Sequence, residues 1–263
     1  IRQDAATLAE ILRPQGYSTL ALGKWHLSSL DDQNANGPFH RWPTGRGFDR
    51  WYGFHGNAMD HWHPEMFENT VAAYPEKTND YHLSEDLAKR GIEYLQDHFA
   101  AANDQPFFMY LAFGACHFPL HAPADDIRRK KGAYNEGYET IRQQRFKKQK
   151  KLGIIPDSTE LSPLNDAVKP WQELNQDEKS LAARGQEIYA AFLEHTDKEL
   201  ERLVDFLKEE HLFEDTVIMV VSDNGAAPGS ATVPSIDTRR AAYMGPESMK
   251  EKMDYIDKLG SDE

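Results

Sequence analysis

The stretch Ser18-Thr19-Leu20-Ala21-Leu22-Gly23-Lys24-Trp25-His26-Leu27 decides the fold, because a short apolar run ends in a polar cluster. Two later runs have the same form. Phe107 to Phe113 is followed by Cys116-His117, and Thr216 to Val221 by Ser222-Asp223-Asn224-Gly225. The carboxyl ends of parallel strands form one rim of a sheet, and ligands bind there. The sequence therefore predicts an α/β sheet with a polar site at that rim.

Helical segments alternate with these strands. Apolar residues recur at three- and four-residue steps over residues 4–13, 84–99 and 177–208, with Asp4 and Ser84 as candidate N-caps. This alternation favours right-handed crossovers and a mostly parallel sheet flanked by helices.

Three regions lie outside this pattern. Residues 28–81 are rich in Gly, Pro, Asn, His and aromatic residues, which predicts an irregular, pocket-forming excursion. Residues 124–176 form a basic insertion, and ten of the thirty Lys and Arg residues lie between Arg128 and Lys151. A solvated helix explains them better than a nucleic-acid patch, since aromatic residues are sparse there. Residues 230–263 are expected to be a surface or partly disordered tail.

Composition excludes several function classes. The 263 residues include 43 acidic and 30 basic side chains, and the net charge of −13 disfavours nucleic acid and anionic membranes as partners. No apolar run has the roughly 18 residues of a membrane span. The first residue is not Met, so we expect an internal piece of a longer protein, and the compartment and oligomeric state stay open.

Lys24 and His26 are the first candidate site residues. If the backbone stays extended, their side chains leave on one side and Trp25 on the other. A Lys supplies positive charge for an oxyanion, and an imidazole donates a hydrogen bond or moves a proton. A surface Lys and a packed His are the alternative, but the position after a buried strand and Gly23 favours function.

Asp223 and Asn224 are candidate metal ligands. A carboxylate and an amide oxygen suit calcium or magnesium, although Asp-Asn-Gly is also a common turn composition. Two oxygens do not fill the roughly six or more positions of calcium, so any further ligands come from elsewhere.

His117 is the candidate proton donor, because it follows the end of the second strand. His121 is a nearby alternative. Cys116 lacks a local partner that would make it a nucleophile, and His61-Trp62-His63 lacks further ligands at zinc spacing, so an aromatic pocket wall is the better interpretation.

Four motifs together resemble a known family. Gly23 to Leu27, Arg46 to Phe54, His117 to Pro123 and Ser222 to Gly225 occur in this order in the type I sulfatases of the alkaline phosphatase superfamily, and the chain is similar to a bacterial arylsulfatase. The resemblance implies hydrolysis of an organic (aryl) sulfate ester to an alcohol or phenol and inorganic sulfate. It also implies a calcium ion and a formylglycine nucleophile.

The same resemblance implies a role for each candidate. Lys24 and His26 contact the sulfate and the oxygens of the nucleophile, and His117 binds the ester oxygen and helps to protonate the leaving group. Asp223 and Asn224 are calcium ligands. Residues 1–229 are then part of a sulfatase catalytic domain whose partner is a small-molecule sulfate ester.

Two family features have no match in this chain. The paired metal-binding aspartates and the Cys/Ser-x-Pro-x-Arg nucleophile motif lie upstream in the family, and neither Asp31-Asp32 nor Asp125-Asp126 follows a buried strand. We therefore expect this part alone to be inactive. The alternatives are a phosphonate or phosphate ester hydrolase of the same superfamily and a non-catalytic descendant.

Overall fold

A five-stranded sheet lies at the centre of the molecule. The computed structural model describes residues 2–262 except 77, 79, 103, 223, 226–235, 237–243 and 246. The strands are β1 (Ser18–Lys24), β2 (Arg50–Phe54), β3 (Met66–Glu68), β4 (Val71–Ala73) and β5 (Phe107–Ala112), and their order in the sheet is β4-β3-β2-β1-β5.

The middle of the sheet is parallel. Leu20 of β1 lies opposite Arg50 of β2 on one side and opposite Met109 of β5 on the other. The short strands β3 and β4 continue the sheet from β2 in antiparallel pairing. The predicted α/β fold is confirmed, with a mixed sheet, and the carboxyl ends of β1, β2 and β5 lie at one rim.

Helices flank this sheet. They are α1 (Leu8–Leu12), α2 (Leu83–Ala101), α3 (Ala124–Lys130), α4 (Tyr138–Lys151), α5 (Gln176–Glu209) and α6 (Met249–Asp254), and short 3-10 turns occur between them. The three predicted helices are confirmed, but the N-cap of α2 is His82 and not Ser84, because Nδ1 of His82 accepts from the Ser84 amide at 3.2 Å. No helix among the described residues combines the length and apolar composition that crossing a bilayer requires.

The first helix begins later than predicted. Thr7, not Asp4, is the N-cap, because the Thr7 hydroxyl accepts from the Glu10 amide at 3.1 Å and the Glu10 carboxylate accepts from the Thr7 amide at 2.8 Å. This reciprocal pair satisfies two N–H groups at the helix start. The Asp4 carboxylate instead bonds to Arg2.

Three apolar clusters form the core. The largest joins β1 and β2 to α2 and to the end of α5, the second is aromatic and surrounds Trp42, and the third joins α5 to α3 and to the chain after α6. The fully buried large side chains include Trp42, Trp51, Tyr52, Tyr94, Phe54 and Phe192. The segment after α6 adds Leu259, which is 1 % exposed.

Two expectations for the strands need correction. Phe107 to Phe113 is not covered on both faces: β5 is the end strand of the sheet, its side chains are mostly half-buried, and Tyr110 is 40 % exposed. The strand predicted for Thr216 to Val221 is wrong, because this run joins no described strand. Val220 is 79 % exposed. Apolar composition favours a strand, but a strand also needs a hydrogen-bonded neighbour.

The regions outside the predicted pattern are partly ordered. Residues 28–81 contain β2, β3 and β4 as well as 3-10 turns, so the excursion supplies a strand to the parallel part of the sheet. Helix α4 is solvated as expected, since none of its side chains is buried. The domain boundaries at 229 and 230 stay predictions.

Candidate active site

At the rim of the sheet, the ends of β1 and β5 approach each other closely. Gly23 of β1 has φ +87°, and a Cβ at this position would lie 2.0 Å from the carbonyl oxygen of Ala112 on β5. Only glycine combines this backbone conformation with the contact. The ends of β1 and β5 therefore lie against each other, directly before the polar residues that follow each strand.

Trp25 anchors the end of β1. Its indole is 4 % exposed, and Nε1 donates to the carbonyl oxygen of Arg41 at 2.7 Å. Its backbone N–H donates to the carbonyl oxygen of Phe54 at 2.9 Å, which ties the end of β1 to β2. Trp25 is therefore part of the core, whereas Lys24 is half-buried and His26 is exposed.

Lys24 and His26 remain accessible on either side of this anchor. Lys24 is half-buried, and its Nζ donates to Oδ1 of Asn57 at 3.3 Å. His26 is exposed and has φ +47°, so the backbone turns at this residue and is not extended as the sequence analysis assumed. Asn57 was not singled out from the sequence, because it lies in the irregular excursion without a recognisable spacing.

His117 lies in a turn after β5. Its backbone N–H donates to the carbonyl oxygen of Gly114 at 3.0 Å, and its ring Nδ1 is 2.9 Å from the carbonyl oxygen of Phe118. A carbonyl oxygen only accepts, so Nδ1 carries a hydrogen. A second proton on this ring must therefore occupy Nε2, where it is available to an acceptor.

The three side chains interact electrostatically. Partial burial, followed by the positive charges of Lys24 and of His117, lowers the pKa of His26 below its usual value. His26 is therefore neutral at neutral pH beside a cationic Lys24. Lys24 and His26 lie at the end of β1 and His117 follows β5, so the adjacent ends of these two strands place all three residues at one rim.

Of the two predicted metal ligands, only Asn224 lies among the described residues. Asp223 lies outside the described residues. Asn224 is exposed, its amide nitrogen donates to the carbonyl oxygen of Gly225 at 2.8 Å, and no described strand precedes it. Calcium needs about six or more oxygen ligands. The described residues of this turn do not fit a calcium ion by themselves.

The remaining candidates are interior residues. Burial raises the pKa of the Cys116 thiol to about 11, which makes it a poor nucleophile at neutral pH. His121 is 7 % exposed, and its Nδ1 accepts from the backbone N–H of His61 at 3.2 Å. His61 is itself buried among His82, His121 and Phe192, so it does not line an open pocket wall.

One cluster was missed by the sequence analysis. Glu85 on α2 and His195 and Glu199 on α5 offer donor atoms that all lie within 4.8 Å of one another, and they could hold a metal ion. The only sequence signal was a His and a Glu four residues apart on a long helix. Glu85 is 110 residues away from His195, so the cluster appears only in the fold.

Comparison with known proteins decides the family. The Sulfatase family profile matches residues 1–248. The chain belongs to the sulfatase family. An arylsulfatase of Klebsiella aerogenes is 32% identical over 232 residues, which are 84% of this chain and 47% of the relative. An uncharacterized sulfatase of Schizosaccharomyces pombe is 32% identical over 237 residues, 84% of this chain and 41% of the relative.

Solved structures agree on the fold. A Bacteroides thetaiotaomicron protein described in connection with the metabolism of multiple glycosaminoglycans superposes with a TM-score of 0.55 at 16% identity, over 81% of this chain and 40% of that protein. This sulfatase-family chain spans less than half the length of each curated relative above.

Proposed function

We propose that this chain contributes the sulfate-binding and proton-donating side chains of an enzyme that hydrolyses organic sulfate monoesters to an alcohol or phenol and inorganic sulfate. The observation that supports the proposal is that Lys24 and His26 lie at the end of β1 and His117 follows β5, and that these adjacent parallel strands approach closely at Gly23 and Ala112. Membership of the sulfatase family supports it.

Lys24 and His26 bind the sulfate group in this proposal. A half-buried ammonium attracts the anion more strongly than a fully solvated one, because less water screens it. A neutral His26 donates one hydrogen bond to a sulfate oxygen without repelling Lys24. Asn57 holds Lys24 at the rim through its side-chain oxygen.

His117 acts as the general acid. When the bond between sulfur and the ester oxygen breaks, its electron pair stays on the leaving oxygen, which then takes a proton. The imidazolium of His117 supplies that proton from Nε2 while Nδ1 keeps its hydrogen bond to the carbonyl of Phe118.

A formylglycine nucleophile and a calcium ion with Asp223 and Asn224 among its ligands belong to the same proposal. Both come from the resemblance to type I sulfatases. When bound, such an ion neutralises negative charge on the sulfate. Calcium content of the purified protein, with and without Asp223→Ala, tests this part by elemental analysis.

Turnover of an aryl sulfate by the full-length protein tests the site. The Klebsiella relative is named an arylsulfatase, which makes a nitrophenyl sulfate the first substrate to use. We expect His117→Ala to lower kcat by about 10²–10⁴-fold, with a larger loss for substrates whose leaving group has a high pKa. Lys24→Ala should lower kcat/KM by about 10²-fold or more.

Matched surface substitutions are the controls. His211→Ala and Lys89→Ala change exposed residues of the same types and should leave turnover unchanged. Near-normal turnover in both His117→Ala and Lys24→Ala would show that the site lies elsewhere. A preference for aryl phosphonate over the matching sulfate would assign the protein to the phosphorus ester hydrolases, and no turnover of either would favour a non-catalytic descendant.

A further inference from the structure

Two helices, α2 and α5, bring together three side chains that could hold a metal ion. Glu85 lies in the first turn of α2, and His195 and Glu199 lie one turn apart on α5, so they share a face of that helix. The helices touch beside them, where the hydroxyl oxygens of Ser84 and Thr196 are 3.3 Å apart. The cluster therefore has a fixed position between two packed helices.

The imidazole of His195 is buried and lacks a hydrogen bond at one nitrogen. His195 is 5 % exposed, and its Nε2 has no hydrogen-bond partner among the described residues. Oε1 of Glu85 lies 3.4 Å from Nε2 but outside hydrogen-bonding geometry. A buried ring nitrogen without a hydrogen bond is energetically unfavourable, so a ligand bound to Nε2 would stabilise this arrangement.

The other ring nitrogen fixes the direction of the imidazole. Nδ1 of His195 lies 3.0 Å from Oδ2 of Asp126, which accepts its hydrogen. The neutral ring then has its lone pair on Nε2, directed towards the cluster. A carboxylate that orients a histidine through the far nitrogen is the usual outer contact of a metal-binding histidine.

The charges around the cluster favour a bound cation. The donor atoms of Glu85 and Glu199 both lie within 4.8 Å of the donor atom of His195. Lys198 and Arg129 bond to Asp126, and Arg202 bonds to Oε2 of Glu199. A neutral lone pair facing two carboxylates is unfavourable unless a cation lies between them.

We propose that Glu85, His195 and Glu199 bind a divalent transition-metal ion of the zinc class through one imidazole nitrogen and two carboxylate oxygens, with Asp126 as the orienting residue. An imidazole ligand favours zinc over calcium and magnesium, which prefer oxygen alone. Three protein ligands leave a position for solvent. The ion links α2 to α5 and therefore stabilises the helical layer on the sheet.

Zinc binding by the full-length protein tests this proposal without any assay of turnover. The protein is stripped with a chelator and titrated by calorimetry with Zn²⁺ in the presence of excess Ca²⁺, which occupies oxygen-rich sites. We expect one saturable zinc equivalent, a rise in Tm with zinc, and visible absorption bands when Co²⁺ is substituted. Glu85→Gln, Glu199→Gln and Asp126→Asn should each weaken zinc binding by about 10- to 100-fold.

Control variants separate this site from surface histidines. Glu194→Gln changes a carboxylate on the same helix that bonds to Lys130, and His211→Gln changes an exposed imidazole; both should keep the wild-type affinity. The side chain of Glu85 is 41% exposed, so Glu85→Gln should fold even if a variant of His195 does not. No saturable zinc binding, or the same affinity in Glu85→Gln and Glu199→Gln, would overturn the proposal.

Discussion

His55 shows how a single buried side chain makes this fold sensitive to acid. It lies directly after β2 and is 3 % exposed, with ring centroids 4.0 Å from Trp42, 4.8 Å from Trp51 and 5.3 Å from Phe67. Neither ring nitrogen has a hydrogen-bond partner among the described residues. Burial therefore lowers the pKa of His55 to about 4.

The low pKa of His55 predicts that the free energy of unfolding decreases at acidic pH. In the unfolded chain the pKa is about 6.5, so between that pH and about 4 the unfolded state binds a proton that the folded state does not. The free energy of unfolding is therefore lowered as the pH falls through this range. The free energy of unfolding of the wild type should fall between neutral pH and pH about 5, and the His55→Phe variant should lack roughly 1–2 kcal/mol of that fall.

Urea denaturation of the His55→Phe variant at both pH values measures this difference. His40→Phe, a change at an exposed histidine, is the control and should keep the wild-type pH dependence. His61 and His121, whose pKa values are also lowered by burial, leave some acid sensitivity in either variant. The same loss of stability at acidic pH in His55→Phe and in the wild type would contradict this role of His55.

At the level of single residues, the sequence predicted the rim better than the interior. The rim positions of Lys24, His26 and His117 were predictable because each follows an apolar run, and strand ends converge in a parallel sheet; their roles stay predictions. Glu85, His195 and Glu199 were not, because their proximity depends on how α2 packs on α5. Short-range spacing carries no information about such a contact.

At the level of elements, the contact between β1 and β5 depends on Gly23. A Cβ there would meet the Ala112 carbonyl, and φ of +87° adds backbone strain for any other residue. Gly16, which ends the first helical segment, has φ +90° but no atom within 4 Å of such a Cβ. A substitution at Gly16 therefore tests backbone strain alone, whereas a substitution at Gly23 tests backbone strain together with a steric clash.

We expect Gly16→Ala to cost about 1–2 kcal/mol, from the left-handed backbone alone. Gly23→Ala should cost about 3 kcal/mol or more, because a steric clash adds to the same strain. Chemical denaturation of both variants measures the difference. Equal losses would mean that β1 and β5 separate at little cost, and the close approach at the rim would then be unimportant for stability.

The strands also show where prediction from sequence stops. The apolar runs in β1 and β5 were recognised from composition, whereas β2 was missed because Arg50–Phe54 is short and lies among Gly and aromatic residues. The run Thr216 to Val221 has strand composition yet joins no described strand. Pairing is a property of the whole sheet, so local propensity predicts it only when a partner is available.

At the level of the whole molecule, charge is distributed unevenly. The chain has a net charge of −13, yet Lys24, His26 and His117 of the candidate site lie at one rim of the sheet. For the sulfate ester proposed as substrate, the net negative charge of the chain would cause a long-range repulsion, and Lys24 would supply a local attraction. Salt screens the long-range repulsion more strongly than the local attraction.

The exposed run Thr216 to Val221 makes self-association of the chain favourable. Val217, Val220 and Val221 are 86 %, 79 % and 87 % exposed, and β5 is an end strand of the sheet among the described residues. An end strand and an apolar extended segment are templates for pairing with another chain. We expect Val220→Lys to reduce light scattering on warming while leaving the circular dichroism spectrum unchanged.

Leu30→Lys is the matched control, since Leu30 is 86 % exposed in an isolated turn. Equal scattering in the two variants would show that added charge, and not the run, sets the colloidal behaviour of the protein. The expected difference means that aggregation of this chain begins from its native state. Solubility would then be improved at one surface segment, without any change to the core.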